Sequence, residues 1–188
     1  MKICAITMVY KDYWALSQWY THYGRLVGFD NLYVVAHGRD ALVAQMCPRA
    51  SVITIPRERL NGFDRNRGQM LNSFADGLGL SYDWVVRTDA DELICFDPAV
   101  YRSFKDIFEA LWRHGMWAGP RKLGAAVFDL PKGVYLVHLK YANLDALEIA
   151  NQHRKEVGNA EGRGLPGAAW KEADKDASRF YANFAQYG

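Results

Sequence analysis

Three acidic side chains follow a short apolar segment within four positions of one another. They are Asp89, Asp91 and Glu92, and the preceding residues 84–88 read Trp-Val-Val-Arg-Thr, which predicts a buried strand. Alternate residues of an extended chain lie on one face, so Asp89 and Asp91 are expected to converge. Ligands of open α/β sheets bind at the carboxyl ends of the strands, which is where these acids lie.

The chemistry of such a pair is governed by charge repulsion. Two carboxylates about 4–5 Å apart repel by about 3–4 kcal/mol at an effective dielectric of about 20. A folded protein tolerates this repulsion with a bound proton, a cationic partner or a metal ion. Oxygen ligands favour Mg²⁺ or Mn²⁺ over zinc, and such an ion can neutralise a diphosphate leaving group. The competing interpretation is a solvated loop or a cap of the next helix.

Two further candidates follow other predicted strands. His138 interrupts an apolar segment, and it is either a third metal ligand or a core histidine with satisfied hydrogen bonds. Tyr10 and Asp12 follow the first strand and would therefore lie at the same edge of the sheet. Tyr10 could stack on a nucleobase while Asp12 accepts its hydrogen bonds, or Asp12 could cap the following helix instead.

Two arginines lie near a predicted helix start. They are Arg65 and Arg67, and guanidinium groups and backbone N–H groups at such a position suit a phosphate ligand. The alternative is that each belongs to a solvated basic face of the helix.

The composition restricts the class of protein. The chain has 188 residues, half of them hydrophobic, which suffices for one domain with a filled core and excludes global disorder. With 23 basic and 21 acidic residues the net charge is +2, which argues against a nucleic-acid-binding protein. The cysteines Cys4, Cys47 and Cys95 show no paired spacing, which is typical of a reducing compartment.

The apolar segments are too short for a membrane span. None approaches about 18 consecutive apolar residues, and residues 3–9 are interpreted as a core strand and not as a signal peptide. We therefore expect a cytoplasmic protein without a transmembrane segment. Peripheral membrane contact stays open because the C-terminal residues are rich in aromatics.

The order of predicted elements indicates an α/β fold. Strands are predicted at 3–9, 32–36, 51–55 and 84–88, and helices at 16–27 and 70–78; this alternation is typical of a parallel sheet flanked by helices. In the second half, a helix at 104–112 precedes two strands, 125–130 and 134–139, that a Pro-Lys-Gly turn joins. Helices through 144–150 and 170–184 follow. The expected architecture is a mostly parallel central sheet with a small antiparallel C-terminal part.

Several stretches of the chain together resemble a known family. They are residues 3–12, 19–23, 32–35 and, above all, 84–92 with its Asp-Ala-Asp-Glu motif. These stretches resemble glycosyltransferase family 2-type proteins of the GT-A fold, in particular a bacterial branch with that motif. The similarity is good over roughly residues 1–98. Beyond them, residues 138–142 with Asn151 and Arg154 are similar to the late histidine-containing segment of that branch.

The resemblance implies a metal-dependent glycosyltransferase. Its donor would be a nucleotide-diphospho-sugar with Mn²⁺ or Mg²⁺ bridging the phosphates, and its acceptor a carbohydrate or a glycolipid. By position, Asp91 matches the usual metal ligand, Asp89 the acid that contacts the ribose or the metal, and His138 the histidine that completes the coordination. Asp12 matches an acid near the base.

The resemblance also implies a division of the chain. We expect a single domain over residues 1–188, made of a nucleotide-sugar-binding half (1–98), a short acceptor half (99–158) and a loop with a C-terminal helix (159–188). An inverting enzyme of this kind needs a carboxylate base for the acceptor hydroxyl. Asp129 and Glu109 are the candidates for that base.

Two other functions compete with glycosyl transfer. The short second half fits a degenerate, non-catalytic domain that binds a nucleotide-sugar or a partner protein. An Asp-x-Asp after a strand also occurs in phosphohydrolases of the haloacid dehalogenase type, in which the first Asp is the nucleophile. In those enzymes the motif normally follows the first strand, whereas here it follows the fourth predicted strand.

Overall fold

The computed structural model describes residues 1–57, 60–113, 131–160 and 168–184. Within them the elements are, in chain order, β1 (Ile3–Val9), α1 (Tyr13–Val27), β2 (Leu32–His37), α2 (Ala41–Met46), β3 (Ser51–Ile55), α3 (Phe63–Leu78), β4 (Trp84–Arg87), β5 (Glu92–Phe96), α4 (Phe104–Arg113), β6 (Val134–His138), α5 (Leu144–Ala160) and α6 (Ala173–Phe184). None of the helices in these residues combines the length and the apolarity that a membrane span needs.

The main sheet is parallel, as the sequence predicts. Its four strands lie in the order β3–β2–β1–β4, and every neighbouring pair is parallel. All seven residues of β1 are buried, which explains why this strand is a continuous apolar run. The protein is therefore an α/β protein with its central sheet flanked by helices.

A second, smaller sheet contains an antiparallel pair that is not predicted from the sequence. β6 pairs with β5, and Glu92 lies opposite His138 in this pair. The sequence pattern predicts Glu92 only in the acidic cluster, and it predicts neither β5 nor the short α2. The predicted strand 125–130 and its turn-mediated pairing lie outside the described residues. The β5–β6 register matters because it places His138 next to the acidic motif.

The two faces of the main sheet have separate cores. Ile3, Ala5 and Val9 pack on one face with α1 and α4, while Ile6 and Met8 pack on the other face with α3. This alternation follows from the two-residue period of a strand. Both faces are thus covered, and the carboxyl edge of the sheet is left for a ligand site.

Helix α1 holds the segment that follows β4. The indole Nε1 of Trp19 donates a hydrogen bond of 2.9 Å to Thr88 Oγ1, and both side chains are buried. The Tyr23 hydroxyl accepts from Ile94 N at 3.0 Å and donates to Glu92 O at 3.3 Å. Residues 88–94 are therefore fixed by hydrogen bonds to one helix as well as by their own strands.

Replacement of Trp19 by Phe tests this attachment. The change removes the donor to Thr88 and leaves a cavity in the core, so the free energy of unfolding should fall by about 2–4 kcal/mol. Urea unfolding followed by far-UV circular dichroism measures it. Trp112→Phe, at an exposed position on α4, is the matched control and should change stability by about 0.5 kcal/mol or less. Equal stability of the two variants would contradict the assignment.

Candidate functional site

A cleft of about 340 Å³ opens at the carboxyl ends of β1, β2 and β4. Helices α3 and α5 contribute Arg67 and Arg154 to its lining, and the Asp-Ala-Asp-Glu motif contributes its three acids. The location agrees with the position of ligand sites in parallel α/β sheets. The cleft is therefore the candidate site.

Asp91 joins two other segments of the chain in the cleft. Its Oδ2 lies 3.2 Å from His138 Nε2 and accepts a hydrogen bond of 3.1 Å from Arg154 Nη2. The Asp91 side chain is only 11% exposed, and its backbone oxygen accepts from Leu139 N at 2.6 Å. Three segments far apart in sequence thus meet at one carboxylate.

The charges around Asp91 decide its protonation. Burial raises the pKa of the Asp91 carboxyl, but the hydrogen bond from His138 and the charges of His138 and Arg154 lower it more, so the net pKa lies below its ordinary value. In return, the hydrogen bond to Asp91 raises the pKa of His138, against the opposing effect of burial. Asp91 is therefore ionised at neutral pH.

Asp89 has a different partner. Arg67 on α3 donates from Nη1 to Asp89 Oδ1 at 2.9 Å and from Nη2 to Oδ2 at 3.4 Å, a two-pronged contact. Arg67 also lies 3.3 Å from Asp64. Burial alone would lower the pKa of Arg67, but these two carboxylates raise it. Each of the two aspartates of the motif thus faces an arginine, which is one of the three solutions that the sequence left open.

The donors that the resemblance assigns to a metal are brought together in part. Asp91 and His138 are in contact, and a carboxylate with an imidazole is a donor set that Mn²⁺ accepts. Asp89 instead faces Arg67. In the described parts of the chain, no group of three or more His, Cys, Asp or Glu side chains is arranged to hold a metal ion. Of the three predicted ligands, the structure thus brings Asp91 and His138 into contact with each other, while Asp89 has a separate partner.

Tyr10 lines the cleft as expected, but its ring is already in contact with other groups. The Arg57 guanidinium lies 3.4 Å from the centre of the Tyr10 ring. The rings of His153 and His37 meet Tyr10 edge-on at 4.6 Å and 6.0 Å. Arg57 additionally donates to Glu156 at 2.8 Å. The Tyr10 face that Arg57 covers is therefore not available for a nucleobase unless Arg57 moves.

His37, the last residue of β2, is buried beside this cluster. Arg57 Nη1 lies 3.0 Å from His37 Nδ1, and because arginine only donates, Nδ1 is the acceptor and the proton of the neutral ring lies on Nε2. The His37 ring stacks on Phe63 at 4.4 Å. Burial, reinforced by the charge of Arg57, lowers the pKa of His37 to about 4, so this histidine is neutral at physiological pH.

Asp12 lies in the cleft and also caps a helix. Its Oδ1 accepts from Ala15 N at 3.2 Å at the start of α1, and the preceding Lys11 has the positive φ of 53° that turns the chain there. Burial raises the pKa of the Asp12 carboxyl, against the hydrogen bond from Ala15. The capping role that the sequence left open is therefore observed, and Asp12 still lines the cleft.

The remaining candidates lie apart from the cleft lining. Arg65 is exposed on α3 and does not line the cleft, unlike Arg67. Glu109 is on α4, where it lies 3.7 Å from Arg113, and it is likewise outside the lining residues. Asp129 falls outside the described residues. The structure does not bring Glu109 to the site as a base.

Several residues of α5 line the cleft although the sequence pattern assigns them no role. Ala150, His153, Arg154 and Val157 all line the cleft. Their spacing of three and four positions places them on one helical face, and that mixed apolar and basic face was the available signal. Arg57 follows β3 and is preceded by Pro56, so its position next to a strand end was a second signal.

The neutral state of His37 has a measurable consequence for stability. Its folded pKa of about 4 lies below its unfolded value of 6.5, so the unfolded chain binds more protons between these values and stability falls as pH falls. His37 should contribute a loss of about 2–3 kcal/mol between pH 6.5 and pH 4. His37→Gln keeps an acceptor for Arg57 and lacks the titration. Urea unfolding over this pH range should show a shallower decline in the variant, and parallel curves would contradict the assignment.

Comparison with known protein families, with curated proteins and with solved structures gives no match to this chain. The activity of the cleft is therefore inferred from its own side chains and from the motif resemblance.

Proposed function

We propose that the protein is a metal-dependent glycosyltransferase of the GT-A type, which moves a sugar from a nucleotide-diphospho-sugar to a carbohydrate or glycolipid acceptor. The observation that carries this proposal is the convergence of Asp91, His138 and Arg154 in one cleft. These residues come from the acidic motif, the end of β6 and the middle of α5. Convergence from three separate segments is typical of a ligand site and not of a solvated loop.

The charges of the cleft suit a diphosphate. Asp91 and His138 would hold Mn²⁺ or Mg²⁺, and the bound ion would offset the negative charge that develops on the leaving diphosphate. Arg154 and Arg67 add two guanidinium groups, which bind phosphate oxygens in a forked geometry. The balanced set of acids and cations supports binding of an anion together with a cation.

Asp89 is proposed to contact the nucleotide and not the metal. Its two-pronged contact with Arg67 fixes the orientation of the carboxylate, while 43% of the side chain stays exposed. A fixed, partly exposed carboxylate is a suitable acceptor for ribose hydroxyl groups. Arg67 also lines the cleft, so a ligand at Asp89 would lie beside a guanidinium group.

A second candidate is a domain that binds nucleotides without sugar transfer. The pairing of Asp89 with Arg67 and of Asp91 with Arg154 favours it, because internal cations reduce the need for a metal. Turnover separates the two functions. Release of the nucleotide diphosphate from a panel of nucleotide-sugars above the uncatalysed rate would exclude the non-catalytic function. A phosphohydrolase has less support, because the Asp89 carboxylate that would be its nucleophile is held by Arg67.

Replacement of Asp91 by Asn tests the glycosyltransferase proposal. The amide keeps the shape of the side chain and an acceptor for Arg154 but removes the charge that would bind the metal. Mn²⁺-dependent binding of UDP or GDP should weaken at least about tenfold, the loss expected for one charged ligand. Isothermal titration calorimetry with and without Mn²⁺ measures the affinity.

Asp76→Asn is the matched control because Asp76 is exposed on α3 and does not line the cleft. It should bind the nucleotides as the wild type does. Thermal unfolding of both variants separates loss of binding from loss of fold. Unchanged Mn²⁺-dependent affinity in a folded Asp91→Asn variant would refute the metal site.

A further inference from the structure

Trp170 is an aromatic side chain in the wall of the cleft that the sequence motif does not include. It belongs to a short 3₁₀ turn, Ala168–Glu172, directly before α6. Its side chain is half-buried and lines the same cleft as Tyr10 and Asp91. The C-terminal segment thus contributes to the site, and the aromatic residues of this segment need not all serve a membrane surface.

The backbone around Trp170 is closely packed against α5. A Cβ atom at Gly158 would lie 2.6 Å from Lys171 N and 2.9 Å from the carbonyl carbon of Trp170, so glycine is required for this approach. Next to it, the buried Asn151 donates to Ala173 O at 3.4 Å. The position of the turn is therefore determined by the helix that also carries Arg154.

The other rings of the cleft are already in contact with protein groups. Arg57 covers one face of Tyr10 at 3.4 Å, and Phe63 stacks on His37 at 4.4 Å with nearly parallel planes. In the described residues, Trp170 makes no ring-stacking and no cation–π contact. Among these rings of the cleft, Trp170 is thus the one without an aromatic or cationic partner on its ring in the described residues.

We propose that Trp170 is the stacking platform for the nucleobase of the donor nucleotide, an inference that rests on the proposed function. Every nucleobase has an aromatic face, and stacking on a protein ring contributes to binding without selecting one base strongly. The phosphates of the same nucleotide would lie toward the cations Arg154 and Arg67. Trp170 therefore acts on the affinity for the nucleoside and not on the affinity for the diphosphate.

The test compares Trp170→Ala and Trp170→Phe with the wild type by titration calorimetry in Mn²⁺. The probes are pyrophosphate, UDP and GDP. Trp170→Ala should lower the affinity for the better-binding nucleotide about tenfold, which is the scale of base–aromatic stacking. Its affinity for pyrophosphate should stay within twofold of the wild-type value. Trp170→Phe, which keeps a ring, should restore most of the affinity. Trp112→Ala removes an exposed indole on α4, and it should change neither the nucleotide affinity nor the pyrophosphate affinity.

A spectroscopic readout covers the case in which Trp170→Ala loses stability. Nucleotide binding should quench the tryptophan emission of the wild type, and Trp170→Phe should bind the nucleotide with that quenching largely lost. Unchanged nucleotide affinity in Trp170→Ala, or an equal loss of affinity for pyrophosphate, overturns the role of Trp170 as a stacking platform. The glycosyltransferase proposal stands in either case. Failure of the wild type to bind either nucleotide overturns both.

Discussion

The ion pairs of Asp91 are the constraint on which the arrangement of the site depends. The Asp91 side chain is only 11% exposed, and a carboxylate buried to this extent is stable as an anion only with close polar and cationic partners. Arg154 supplies a positive charge from α5, and His138 supplies a polar partner at 3.2 Å from the end of β6. If either segment moved away, the charge of Asp91 would lose one of its two side-chain partners. The contacts of this one carboxylate therefore help to fix the positions of the small sheet and of α5 relative to the main sheet.

The two aspartates of the motif show how a protein can place acids close together. Repulsion between Asp89 and Asp91 is offset because each faces an arginine, from α3 and α5 respectively. Under the proposed function, a metal ion would bind at the acids and a diphosphate at the arginines. The two ligands would then add charges of opposite sign to the cleft, whereas acids alone would attract only the metal.

Much of the fold could be predicted because buried parallel strands are continuous apolar segments. β1 and β3 were predicted with the observed bounds, and the helices predicted at 16–27, 70–78, 104–112 and 144–150 lie within α1, α3, α4 and α5. The helix predicted at 170–184 begins three residues before α6, in the short 3₁₀ turn that precedes it. α2 has only six residues and shows no helical period, and β5 begins inside the acidic motif. The ion pairs were not predictable, because Arg67–Asp89 and Arg154–Asp91 join residues 22 and 63 positions apart, and no spacing rule reports such contacts.

The two aspartates of one motif have unlike environments, and this difference indicates unlike tasks. The side chain of Asp91 is 11% exposed and contacts His138 and Arg154, so it offers little surface to an organic ligand. Asp89 is 43% exposed and is oriented by one arginine whose buried Nε lacks a partner in the described residues. A buried unpaired donor costs about 1–3 kcal/mol, so the pairs of Arg67 with Asp64 and Asp89 keep its side chain in place against this cost. Of the two aspartates, Asp89 is therefore the accessible acceptor and Asp91 the enclosed charge.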